Sequence, residues 1–119
     1  MDIEAYSRLA LRTANNLGTF DKNLGHAVLG IGDEAGEIIG AFKKYFAYGK
    51  PLDIINLKEE LGDLCWFINL AMDTLGLTWD EVMEANIRKL EVRYPNLRFE
   101  ADRAINRDKA SENAALTQG

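Results

Sequence analysis

The sequence predicts an all-α protein: a bundle of four main helices, completed by oligomerisation and followed by a weakly structured C-terminal tail. Three observations lead there. Apolar residues recur at helical spacing in four successive segments, with no sustained alternation and no β-branched enrichment of the kind strands show. Chain-breaking residues separate the segments, at Gly18, Gly49-Lys50-Pro51, Gly76 and Pro95. Residues of the N-capping type stand before the second, third and fourth.

The first segment runs from about Ile3 to Leu17, with Ile3, Tyr6, Leu9, Ala10 and Ala14 on one face, and stops before Gly18. The second starts after Asp21 as cap and ends near Tyr48. It carries Gly32, Gly36 and Gly40 at four-residue intervals, with Gly30 nearby, each costing about 1 kcal/mol against Ala inside a helix. That stripe predicts close approach of another helix or of a ligand. The third segment starts near Asp53 and runs to Leu75. The fourth has Thr78 as cap and Glu81 three residues on, a capping box, and ends where Pro95 follows Tyr94. Beyond Arg98 the pattern weakens and Ser111 to Gly119 is small and polar, so residues 1–99 read as one domain and 100–119 as a partly frayed extension.

Composition narrows the function. With 119 residues there is room for one domain, and 47% hydrophobic residues exclude a disordered chain. A net charge of −5 argues against a nucleic-acid polymer as partner, because phosphates demand a basic footprint. The single Cys65 has no partner for an internal disulfide and reads as a buried, inert thiol. The longest strongly apolar run, Leu64 to Ile68, is far short of the ~20 residues of a membrane span, and Met1-Asp2-Ile3-Glu4 shows no signal-peptide pattern. The expected location is cytoplasmic, with no membrane partner.

The informative feature is a matched pair of acidic pairs. Glu34 and Glu37 lie three apart in the second segment, and Glu60 and Asp63 three apart in the third, so each pair shares one helix face. At about 100° per residue, with Glu60 at zero, Asp63 falls near roughly −60° and Leu57, Leu64, Ile68, Ala71 and Leu75 fill roughly +20° to +80°. The second segment repeats the design around Glu34, with Ala27, Ile31, Ile38, Phe42 and Tyr45 as its apolar stripe. If the stripes pack antiparallel, four carboxylates converge at the core's edge and require a compensating cation. Oxygen ligands suit Mg²⁺, with Mn²⁺ as substitute, and do not suit zinc. A di-iron bundle would need Glu-x-x-His, but the only histidine, His26, has Asn23 three residues before it. Acidic residues three apart also make ordinary solvated faces, and the pattern alone leaves both readings open.

Asp33-Glu34-x-x-Glu37 followed by Glu60-Leu61-Gly62-Asp63 resembles the paired ExxE and ExxD motifs of the MazG-like, all-α nucleoside triphosphate pyrophosphohydrolases. The resemblance continues through Asn86-Ile87-Arg88-Lys89-Leu90 and Arg93-Tyr94-Pro95, and spans about Leu24 to Phe99. It implies a Mg²⁺-dependent enzyme that hydrolyses an NTP or dNTP to the monophosphate and pyrophosphate. Carried over by position, Glu34, Glu37, Glu60 and Asp63 are the metal ligands and catalytic carboxylates. Asn86, Lys89, Arg93 and Tyr94 meet the phosphates or the sugar. Asp33 stands where many members have Glu and is a candidate base.

The chemistry of the residues agrees, since a metal and a cation such as Lys89 supply what phosphoryl transfer needs. No P-loop pattern is present and no Ser or Cys nucleophile is supported. Lys89 and Arg93 also fit a second reading, as cations at a helix C-terminus or partners of nearby Glu91. Trp66 lies off the main stripe, to seal a subunit interface or stack on a base. Apolar residues on several sides of segments two and three, among them Ile39, Phe46, Trp66 and Leu70, predict a homo-oligomer. The resembled family forms dimers or tetramers, and a homodimer is the first expectation. The runner-up function is a non-catalytic helical module that binds a nucleotide or a partner protein on the same bundle.

Overall fold

The structure is a computed structural model and describes residues 1–118. Six helices and no strand occur among these residues: α1 (Ile3–Leu11), α2 (Phe20–Tyr48), α3 (Ile54–Thr74), α4 (Trp79–Arg93), α5 (Ala101–Ile105) and α6 (Lys109–Thr117). They fall into two compact units, Met1–Gly76 and Leu77–Gly119. No helix among the described residues is long and apolar enough to cross a membrane.

In the first unit α2 and α3 form an antiparallel hairpin. Gly49 reverses the chain with a left-handed φ of 64°, a conformation that costs glycine no Cβ clash, and Lys50 N–H bonds back to the Lys44 carbonyl at 3.1 Å. Asp53 then caps α3 by accepting from Asn56 N–H at 2.9 Å. α1 lies against α3, where buried Asn69 donates to the Ser7 carbonyl at 3.2 Å.

Two helix ends differ from the sequence expectation. α1 stops at Leu11 instead of Leu17, because side chains take over the backbone's hydrogen bonds. Thr13 Oγ1 donates to the Ala10 carbonyl, while Asn16 and Asn23 accept from Gly18 N–H and Leu17 N–H at 2.8 Å. α2 is capped by Thr19, and Asp21 sits inside its first turn, where its charge favours the helix N-terminus.

The interior of this unit is narrow, with Ala10, Ala27, Gly30, Ala41, Leu70 and Met72 buried. Leu29, Ile39, Phe42, Phe46, Ile54 and Ile55 are exposed. Trp66 is half-buried within the chain: its indole N–H donates to Thr13 Oγ1 at 2.8 Å and its ring meets the edges of His26 and Phe67. Cys65 is exposed, contrary to the expected buried thiol, because neither α1 nor α2, the helices that pack on α3 within the first unit, covers it.

The second unit corrects the expected frayed tail. α6 packs along α4, and α5 lies between them in sequence. Asp108 caps α6 through Ser111 N–H at 3.1 Å, and Arg88 of α4 reaches the Ala115 carbonyl at 3.2 Å and the Gln118 carbonyl. Thr78 and Glu81 make the expected capping box at the start of α4.

Candidate metal centre

The hairpin brings the acidic residues together. Gly30 of α2 lies directly against the Phe67 ring of α3, so closely that a Cβ at residue 30 would stand 2.2 Å from two of the ring carbons. One helical turn along α2 from Gly30 comes Glu34, and one turn back along α3 from Phe67 comes Asp63. The missing side chain at residue 30 therefore sets the distance across which the carboxylates face each other.

Glu34, Glu60 and Asp63 each present an oxygen within 4.8 Å of the others. Glu34 and Glu60 are half-buried and Asp63 is exposed. One Glu34 oxygen is buried with no hydrogen-bond partner, a costly state for a carboxylate. Its pKa is pushed up from 4.5 to about 7, first by a hydrogen bond shared with Glu60, then by burial and by the charges of Asp63, Glu60 and Asp33. An oxygen-only group with an unpartnered buried oxygen and crowded negative charge fits a hard divalent cation of the Mg²⁺ or Mn²⁺ kind. Glu37, the fourth expected ligand, lies one turn beyond Glu34, exposed and outside this trio. Asp33 is exposed beside Glu34, close enough for its charge to be felt there.

The proton held by Glu34 gives a measurable consequence. A carboxyl whose pKa is raised by folding contributes stability fully present below its ordinary value of 4.5 and lost as pH rises through about 7. The metal-free protein should melt at a lower temperature at pH 8 than at pH 5, and Mg²⁺ should raise the melting temperature at pH 8 but hardly at pH 5. Scanning fluorimetry checks this; an equal Mg²⁺ effect at both pH values would remove Glu34 from the ligand set.

Asn86, Lys89 and Arg93 share one face of α4, and Tyr94 caps its end. These four belong to the second unit and the carboxylate trio to the first. Lys89 is half-buried and makes no ion pair among the described residues. Arg93 pairs with Glu112 of α6 at 2.8 Å, not with Glu91, and lies 5.9 Å from the centre of the Tyr94 ring.

Three participants escape the sequence pattern. Tyr6 counts there as an apolar position of the first segment, yet its phenol is held protonated by burial and by the nearby Cys65 and Asp63. Nothing local announces that proximity, which depends on α1 lying against α3. Glu112 and Arg107 lie in the supposed tail, where Asp108 three residues before Ser111 was the available helix-start signal. A cleft of about 320 Å³ in the first unit, lined by Asn15, Asn16, Phe20, Asn23 and Asp73, is a weaker candidate. Its Asn16 and Asn23 are already bonded to each other and to the loop backbone.

Residues 25–98 match the family model of the MazG nucleotide pyrophosphohydrolase domain. Neither a curated protein nor a solved structure shows a match. The matched span holds the carboxylates and the α4 residues, and ends before α5 and α6.

Proposed function

The chain belongs to the MazG nucleotide pyrophosphohydrolase family, and from that premise we propose that it hydrolyses a ribo- or deoxyribonucleoside triphosphate to the monophosphate and pyrophosphate with Mg²⁺ as cofactor. The observation that carries the proposal is the trio Glu34, Glu60 and Asp63, with its unpartnered buried Glu34 oxygen, inside the matched span.

Glu34, Glu60 and Asp63 hold the metal, and Glu37 is the fourth ligand that the family's motif supplies. When bound, the divalent cation supplies charge neutralisation at phosphate oxygens and a more acidic water. Asp33, exposed beside the trio, orients the attacking water or takes its proton. Lys89 and Arg93 bind the phosphate chain, stabilising charge as it shifts to the leaving pyrophosphate, while Asn86 and Tyr94 meet the phosphates or the sugar. Mn²⁺ substitutes for Mg²⁺ because the ligands are all oxygens. The apolar surface that α2 leaves open at Leu29, Ile39 and Phe46 supports assembly as a homodimer.

The test is product identity. Incubated with a panel of NTPs and dNTPs and Mg²⁺, the protein should release pyrophosphate and monophosphate from at least one. Release of orthophosphate and diphosphate would overturn the reaction type, and absence of any turnover would overturn the enzyme reading.

A further inference from the structure

Glu112 is 1% exposed, on a helix outside the span that matches the family. Each of its oxygens is taken by a different arginine: Oε1 accepts from Arg93 Nε at 2.8 Å, and Oε2 accepts from Arg107 Nε at 3.1 Å. Burial pushes the Glu112 carboxyl up, but the hydrogen bonds and charges of Arg93 and Arg107 outweigh it and hold the group below its ordinary pKa.

A bond through Nε uses one of a guanidinium's five N–H donors. Neither arginine makes another hydrogen bond among the described residues, so the terminal nitrogens of both keep their donors. Arg93 and Arg107 remain 17% and 36% exposed, so solvent reaches both while their carboxylate is sealed away. One buried negative charge between two positive ones leaves a surplus positive charge at a fixed place. Stability alone is a poor reason for this arrangement, because apolar residues often replace buried ion pairs without loss. Two held guanidiniums with open forks are instead suited to phosphate, which they bind bidentately.

Resting on the proposed role of Arg93 at the phosphate chain, we propose that Glu112 is a positioning residue that holds Arg93 and Arg107 as a paired clamp for the polyphosphate of the nucleotide. The C-terminal helix thereby contributes to substrate binding, and Arg107 becomes a second phosphate-binding cation.

The experiment uses the full chain, with Glu112→Gln, Glu112→Asp and Arg107→Gln. Binding of inorganic pyrophosphate is measured by calorimetry in EDTA, so that the carboxylate trio holds no metal. Turnover is measured separately with Mg²⁺. In Glu112→Gln, pyrophosphate affinity should fall and KM rise by about tenfold or more, the scale of one charge-assisted hydrogen bond, with a smaller change in kcat. Glu112→Asp should recover most of the loss, and Arg107→Gln should weaken pyrophosphate binding on its own. A folded Glu112→Gln protein with unchanged KM and pyrophosphate affinity would make Glu112 purely structural and overturn the proposal. Should that variant fail to fold, unchanged binding in Arg107→Gln overturns it equally. Pyrophosphate binding that depends on Glu112 without turnover of any nucleotide would sink the proposed reaction and keep the clamp. Turnover with a KM indifferent to Glu112 and Arg107 would do the reverse.

Discussion

Replacing Glu60 by Gln should remove pyrophosphohydrolase activity while leaving the metal-free protein as stable as before, or more so. Glu60 supplies one of three oxygens that lie within 4.8 Å of one another, and an amide of the same shape is a weak ligand for a hard cation. The loss should exceed the about 10–100-fold that follows when only an outer partner of a metal ligand is removed. Stability moves the other way for a simple reason. The trio crowds negative charge around Glu34, and the new amide both removes one charge and offers an N–H to a Glu34 oxygen that has no partner. Turnover with Mg²⁺ and melting at pH 8 without metal are the two readouts. Turnover within about tenfold of the parent would place the metal elsewhere, since even an outer partner can matter that much.

Gly30→Ala should have the largest effect on packing. In an ordinary helix interior the change gains about 1 kcal/mol. Here the added methyl meets the Phe67 ring, which also makes edge contacts with Trp66 and His26 that it would have to give up in order to move aside. Overpacking of this sort costs about 1–3 kcal/mol, enough to reverse the helix gain. Relief by spreading α2 from α3 would separate Glu34 from Asp63 one turn away, so activity should fall together with melting temperature. Gly40→Ala is the internal control, because nothing lies within 4 Å of its added Cβ, and it should melt higher than the parent. A calorimetric scan that ranks the two variants equally would mean that the hairpin does not depend on this contact.

These two glycines also show what the sequence could disclose. The regular series Gly32, Gly36, Gly40 drew attention as a stripe for close approach, yet within the chain all three face open space. The close approach occurs at Gly30, outside that series, because it depends on which residue of α3 stands opposite. Local chemistry was legible: Asp53, Thr78 with Glu81, and Gly49 mark the helix ends they were expected to mark. The acidic pairs were legible for the same reason, since three-residue spacing on a helix fixes a shared face. Of the four expected ligands, three gather, and Glu37 lies outside their group. Contacts between distant residues were not legible. The early end of α1 depends on Asn23 reaching back to Leu17, and α6 is tied down by Arg93, nineteen residues from Glu112. Cys65 looked buried among apolar neighbours, and its exposure follows from which sides of α3 the helices of the first unit, α1 and α2, cover.

That exposed thiol makes the molecule unusually convenient for spectroscopy. Cys65 is the only cysteine and stands two residues after Asp63 on the same helix. A nitroxide or fluorophore attached there needs no background substitutions and sits on the helix that carries Glu60 and Asp63 without replacing either of them. With paramagnetic Mn²⁺ as titrant, relaxation of such a nitroxide reads metal arrival directly, in the absence of nucleotide and independently of turnover. Occupancy of the centre can thus be followed as a distance-dependent signal, apart from the chemistry it supports.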